Sequence, residues 1–521
     1  MGLLKPKKKD VESEVLGGLS AALPTTEEPW YRTKHLIRLN AIIFILLLSS
    51  ASGGFDSAMM NGLQTLEQWR EYFDNPTGSI LGVMSAMYSV GNALGLLPAA
   101  WISDRYGRKL SLYIGLGILI LGAAIQGAAQ NMAMFTIARL ILGTGVGLVG
   151  TPSPMLITEL AYPTHRAKVT SMYNTFYYLG AILAAWSTYG TFVIPNTWSW
   201  RIPSIVQGAL PLIQIALIFL VPESPRWLVA HGKVEEARQI FVRHHAGGDE
   251  ASALVEYEMF EIEANIRLEA SVMSQTSYMD LIKTAPNRRR TLIAVLVGFG
   301  AQWNGVQVVS YYLSLVLNTI GITDTPSQAL INGLLQVFNW AAAIFAGALM
   351  VDRLGRRSLF LISTAGMTVS YVVWTALTSV FTSSLNHQIG NAVVAFIFIY
   401  YLFYDMCYTP LLVAYPAEIF PYTLRGRGLS ATYAATYSGL IIGQFVNPIA
   451  MDAIGWKYYI VFCVLNAMWF VSAWFLFPET KGRTLEQIAE VFDGQPHAID
   501  NIIEEKKREK DETHVEHVQD L

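Results

Sequence analysis

The chain has 521 residues, 53% of them hydrophobic and only 14% charged, with a formal net charge of −3 and a mean hydropathy of +0.37. Soluble domains carry about 25% charged residues, so this composition excludes a water-covered globular protein and points into a bilayer.

Residues 1–37 are polar and are expected to form a disordered cytoplasmic tail, with Lys5, Lys7, Lys8 and Lys9 at its start. No cleavable signal peptide is predicted, so the first apolar run is expected to act as the insertion signal. Runs able to cross ~30 Å of hydrocarbon need ~20 residues each. Twelve are predicted, at 38–63, 78–102, 109–129, 132–156, 169–192, 202–221, 291–317, 328–351, 358–382, 390–414, 428–450 and 457–477. The fold class is therefore an all-α membrane protein. Its six-helix bundles are predicted at 38–221 and 291–477, joined by a cytoplasmic helical linker at 222–290. Within the linker, Lys233–His244 and Glu256–Glu269 carry apolar residues at helical spacing. Residues 478–521 form a second cytoplasmic tail that ends in a charge run.

Asp104-Arg105-Tyr106-Gly107-Arg108-Lys109 recurs as Asp352-Arg353-Leu354-Gly355-Arg356-Arg357, each copy between two apolar runs. A signature repeated at half the chain length marks two homologous halves. These gaps fall on one side of a twelve-span topology, together with those holding Arg166, Lys168, Arg425 and Arg427. That side is cytoplasmic by the positive-inside rule, which puts both termini inside. Gly143-Thr144-Gly145-Val146-Gly147 has wholly apolar flanks and no preceding strand, so it reads as helix packing rather than a dinucleotide loop. Cys407 and Cys463 lie in apolar runs and read as packing residues. No nucleophile–base pair, metal cluster or cofactor loop is visible. No enzyme activity, cofactor, metal site or nucleic-acid partner is expected.

Two opposite charges stand at one depth inside the spans. Asp56 lies seven residues before the outer end of the first span, and Arg139 seven residues past the outer start of the fourth. At ~1.5 Å per residue both sit ~10 Å below the outer face. Opposite charges at one depth are expected to pair, and a carboxylate there can take a proton and release its arginine.

The chain resembles the sugar porter family of the major facilitator superfamily over residues 35–490. The resemblance rests on the repeated loops, on Pro222-Glu223-Ser224-Pro225-Arg226-Trp227-Leu228 and on Pro478-Glu479-Thr480-Lys481-Gly482-Arg483-Thr484-Leu485-Glu486. Trp200-Arg201 opening span six, and Glu418 with Arg425 after span ten, complete it. It implies a central cavity that opens alternately to each side, a sugar as cargo, and a proton as co-substrate that Asp56 and Arg139 couple to transport, because Asp at the Asp56 position resembles proton-coupled members. It also implies a cytoplasmic latch of Asp104, Arg105, Arg108, Glu159, Arg166, Glu223, Arg226, Asp352, Arg353, Arg356, Glu418, Arg425 and Glu479, with arginine–acid pairs across the two bundles. A monomer in the plasma membrane is expected.

The family's span-seven pattern, Gln-Gln-x-x-Gly-x-Asn and a tyrosine pair, falls here on Ala301-Gln302-Trp303-Asn304-Gly305-Val306-Gln307 and Tyr311-Tyr312. The binding glutamine of span five falls on Asn174, and the span-ten segment on Tyr408-Thr409-Pro410-Leu411-Leu412-Val413. The resemblance thus implies substrate contacts from Asn174, Gln302, Asn304, Gln307, Tyr311, Tyr312 and Tyr408. Smaller groups at Ala301, Asn174 and Val413 leave room for a disaccharide such as lactose or cellobiose, and the opening Gly54-Phe55-Asp56 resembles the fungal lactose permease and cellodextrin transporter branch. A hexose, a polyol or quinate, and a transporter-like nutrient sensor are the alternatives.

Overall fold

The computed structural model describes residues 22–24 and 29–492, apart from 276, 348–349, 351–352, 422, 483–487 and 489–490. Asp352, most of the N-terminal tail and most of the C-terminal tail therefore lie outside the described residues. All regular structure among the described residues is helical.

The first three spans are Lys34–Thr65, Gly78–Tyr106 and Arg108–Gly127. The fourth is Met132–Gly150 continued by Pro152–Leu160, where Pro152 sits at a helix start that needs no N–H donor. The fifth is Arg166–Thr191, and the sixth runs through Trp198–Val206, Ala209–Leu217 and Ile218–Leu220. After the linker helices Pro225–Ala230, Val234–His244, Ala253–Gln275 and Asp280–Lys283, the seventh span is split into Ala285–Gly300 and Val306–Thr319. The remaining spans begin with Thr325–Ala342, extended by Ala343–Gly347. Arg356–Ser384, His387–Ile419, Arg425–Ile454 and Tyr459–Leu476 follow.

Nine helical segments among the described residues are long and apolar enough to cross a membrane, the last of them, Arg425–Leu476, holding spans eleven and twelve. The fifth and seventh spans are absent from that set. Hydroxyl and amide groups interrupt both, and such groups are tolerated at membrane depth only where they face protein or an internal space. Large apolar side chains instead cover the outside, including Leu97, Phe219, Val369 and Phe475.

Within the first half, span one packs on span five and span two on span four; in the second, spans seven and eleven pair, as do nine and ten. The halves meet where span one touches seven, two touches eleven, and five touches eight. The glycine series of span four serves close packing: a Cβ on Gly143 or Gly147 would strike the main chain of Tyr88 or Asn92 in span two.

Candidate functional site: a gated cavity between two halves

Span seven is broken twice, and each break has a partner. Gly305 adopts φ +101°, in the left-handed region that glycine enters without strain, and a Cβ there would overlap the Tyr371 hydroxyl. That hydroxyl donates to the Gly305 carbonyl at 2.8 Å. Asn304 braces the same turn. Its Oδ1 accepts from Val306 N–H at 3.0 Å and from the Tyr400 hydroxyl at 2.8 Å, while Asn466 donates to its carbonyl.

The second break is at Tyr312, whose φ −138° and ψ 33° are non-helical. A break frees main-chain groups that must find partners when buried. Asn61 of span one supplies them, giving its Nδ2 to the Val309 and Ser310 carbonyls at 2.9 and 2.7 Å and taking Leu313 N–H on its Oδ1 at 3.0 Å. Gln64, near one turn further out, donates to the Tyr311 carbonyl at 2.8 Å, and Thr325 donates to the Thr65 carbonyl at 3.0 Å. The outer ends of the halves are thus tied together, and the outer side is closed.

Below this gate, Arg139 Nη1 lies 3.5 Å from Asp56 Oδ1, and neither side chain is exposed. Gln207 of span six donates to the same carboxylate oxygen at 2.5 Å, and the guanidinium lies over the Tyr88 ring, 5.4 Å from its centre. Two opposite charges and an amide sealed together are reasonable at membrane depth where one alone is costly. Gln207 escaped the sequence reading because a single glutamine in an apolar run carries no spacing signal.

The residues aligned with the family's sugar contacts divide into two groups. Gln302 is half-buried; Gln307 is buried, donates to the Gln302 and Gly439 carbonyls, both at 3.2 Å, and keeps its Oε1 without a hydrogen-bond partner. Tyr311 lies beside Ser57, Tyr177 and Asp56. Tyr177 is 37% exposed and neighbours Ser57 and Asp56. Asn174, one turn toward the cytoplasm, is also exposed. Asn304 and Tyr312, by contrast, are fully buried and spent on main-chain partners, Tyr312 donating to the Gln444 carbonyl at 2.6 Å. Tyr408 is buried in a stack on Tyr404, with ring centres 5.7 Å apart. These three are packed inside the second half.

On the cytoplasmic side the two repeated loops solve one problem twice. Gly107 and Gly355 have φ +101° and +89°, which turns the next two N–H groups outward at a helix start. Glu223 accepts from Arg108 and Lys109 N–H at 3.0 and 3.2 Å, and Glu479 from Arg356 and Arg357 N–H at 2.9 and 3.1 Å. A carboxylate is favourable at a helix N-terminus, and a Cβ on either glycine would collide with it. Arg108 bonds the Ser103 carbonyl, Asp104 and Glu159; Arg356 bonds Glu418 at 3.0 Å, which also accepts from Thr480. Each of these contacts stays within one half. The expected pairing of Glu223 and Glu479 with arginine side chains is replaced by main-chain capping, because the positive-φ glycine makes those N–H groups the nearer donors. Arg105 and Arg353 are exposed, Arg105 lying against the Tyr106 ring. Arg166 reaches the linker instead, 3.9 Å from Glu258, while Arg226 and Arg425 have partners of their own. Arg201 binds the Gly127 and Ala129 carbonyls that end span three.

A helical membrane protein of two halves around a gated space is the architecture of a secondary transporter, and the comparisons agree. The family model for sugar (and other) transporters matches residues 42–492, so the chain belongs to that family. A high-affinity glucose transporter of Kluyveromyces lactis is 30% identical over 90% of this chain and 86% of its own length. An MFS-type transporter of Aspergillus oryzae is 30% identical over 86% of this chain and 84% of its own. Among solved structures, the inward-open xylose transporter XylE of E. coli superposes with a TM-score of 0.72 at 23% identity, covering 87% of this chain and 99% of that one. The protein is an integral membrane sugar transporter of the major facilitator fold, and not an enzyme.

Proposed function

We propose that this protein is a proton-driven sugar symporter of the plasma membrane, working by alternating access as a monomer. The observation that carries the reading is the sealed Asp56–Arg139 pair with Gln207, directly beneath the outer gate. A proton on Asp56 cancels its charge, frees Arg139 to find other partners and so ties protonation to the packing of spans one, four and six. The proton:xylose symporter XylE, bound to 6-bromo-6-deoxy-D-glucose, superposes at a TM-score of 0.66, which is in keeping with such coupling. Gln302, Gln307, Tyr311, Tyr177 and Asn174 supply the amide and hydroxyl groups that sugar hydroxyls need, beside aromatic faces for the ring.

For the cargo we propose a disaccharide, on the small groups at Ala301, Asn174 and Val413. A hexose is the second reading, favoured by the glucose transporters among the relatives. Uptake of labelled glucose, lactose and cellobiose in cells lacking their own carriers, at two external pH values, tests both. Acid outside should drive accumulation, and Asp56→Asn should abolish accumulation while exchange of sugar across the membrane persists. Accumulation by Asp56→Asn in response to a pH gradient would sink the coupling role. Glucose displacing label better than either disaccharide would return the cargo to a hexose.

A further inference from the structure

The tenth span holds an acid that the coupling scheme does not use. Asp405 lies near the middle of His387–Ile419 and has no exposed surface. Its Oδ1 accepts from the Tyr178 hydroxyl at 2.5 Å and from the Thr409 hydroxyl at 3.0 Å. Tyr178 belongs to span five, so this bond joins the two halves at mid-membrane. The other oxygen, Oδ2, is buried and has no hydrogen-bond partner.

What surrounds it is unusually uniform. On its own helix the neighbouring titratable groups are Tyr401, Tyr404, Cys407 and Tyr408, and span five adds Tyr177 and Tyr178. Spans seven, eight, nine and eleven all pack on span ten. Away from their ends, the only titratable side chains they carry are Tyr311, Tyr312, Tyr371, Tyr433 and Tyr437; span eight carries none. Their arginines stand at the cytoplasmic ends, and Asp452 at the outer end of span eleven. Among the described residues no cation interacts with Asp405. Asp56 has Arg139; Asp405 has only hydroxyl groups.

A lone carboxylate at this depth is costly and is relieved by a cation or a proton. The enclosure admits only the smaller of these, since a sugar hydroxyl or an ammonium group needs room that a fully buried side chain lacks. We infer that Asp405 is a second proton-binding residue, distinct from Asp56, which takes and releases its proton when the halves part at the Tyr178 contact. The proton binds at Oδ2, forming an O–H bond, and returns to water on whichever side the cavity then faces. This rests on the symport reading for its place in the cycle, but the protonation itself does not depend on which sugar is carried.

Infrared difference spectroscopy tests it on the purified full-length protein in liposomes, stepping the pH without sugar. The expected result is a carbonyl-stretch band of a protonated carboxylic acid that is lost in Asp405→Asn and retained in Asp56→Asn. Tyr178→Phe, which removes the inter-half donor and keeps the ring, should move the pH midpoint of that band. A band unchanged in Asp405→Asn would overturn the assignment. So would an Asp405 band absent at every pH, which would mean a carboxylate that pairs with a cationic ligand instead. Failure of symport in the uptake assay, with the band present, would overturn the coupling reading and leave the proton site standing.

Discussion

Replacing Asn61 with leucine, of similar size and without polar atoms, should unlock the outer gate. Three hydrogen bonds across the halves are lost at once, and they hold the main chain around the Tyr312 break. Hydrogen bonds within membrane proteins average about 0.6 kcal/mol each. Three such bonds come to about 2 kcal/mol, and one buried main-chain group left without a partner in the closed gate would add about 1 kcal/mol more. A bias of about 2–3 kcal/mol against the closed gate follows, which is roughly a thirty- to hundredfold change in the open fraction. Ser314, only 3% exposed and within reach of Gln64, is a suitable reporter. With Cys407 and Cys463 replaced by alanine, Ser314→Cys should react slowly with a membrane-impermeant thiol reagent applied outside. Adding Asn61→Leu should speed that reaction by the factor above. An unchanged rate would show that the gate is held by apolar packing and that the amide contacts follow from it.

Further substitutions separate binding, folding and docking roles. Gln302→Ala should raise the apparent KM up to about a hundredfold by removing a partner of sugar hydroxyls, whereas Asn304→Ala should lower the yield of folded protein, because its bonds go to Val306 and Tyr400; uptake kinetics beside detergent-stable yield distinguish the two. Glu223→Ala and Glu479→Ala should each cost about 1 kcal/mol, the usual worth of a helix cap, seen as lower midpoints of thermal unfolding. In the linker, burial first, then the charges of Arg243 and Arg38 with smaller effects from His245 and His35, push His244 down to about 4 from an ordinary 6.5. The undocked helix therefore takes up a proton that the docked one refuses as pH falls from about 6.5 toward 4, so docking is strongest above that window and weakens through it. Protection of Val234–His244 against hydrogen exchange, each rate taken relative to the intrinsic rate at its pH, should be weaker at about pH 5 than at about pH 7, and His244→Gln should remove the difference.

The twelve spans were legible because a ~30 Å apolar slab imposes a length that composition alone reveals. The Asp56–Arg139 pair was legible for a related reason: two charges at matched depths in an apolar run stand out, and the structure sets them 3.5 Å apart. What hid were partners made of neutral amides and hydroxyls. Asn61, Gln64, Gln207 and Tyr178 have no periodicity to betray them, and their value appears only when a distant segment is brought alongside. Asp405 is different, since an acid in the run 390–414 is visible by the same test that singles out Asp56.

The cytoplasmic acids take main-chain partners where side-chain partners were expected. Glu223 and Glu479 each follow a span end, face a basic loop and invite an arginine–carboxylate pairing. The loop glycine decides otherwise, since at positive φ it presents two N–H groups before any side chain can reach. The duplicated loops therefore make each half rigid by the same local device, whereas the contacts that join the halves are not duplicated. Asn61 with span seven, and Tyr178 with Asp405, each occur once. A transporter whose halves rock as bodies requires that division: repeated, charged and capped contacts inside each half, and single neutral or proton-dependent contacts between them.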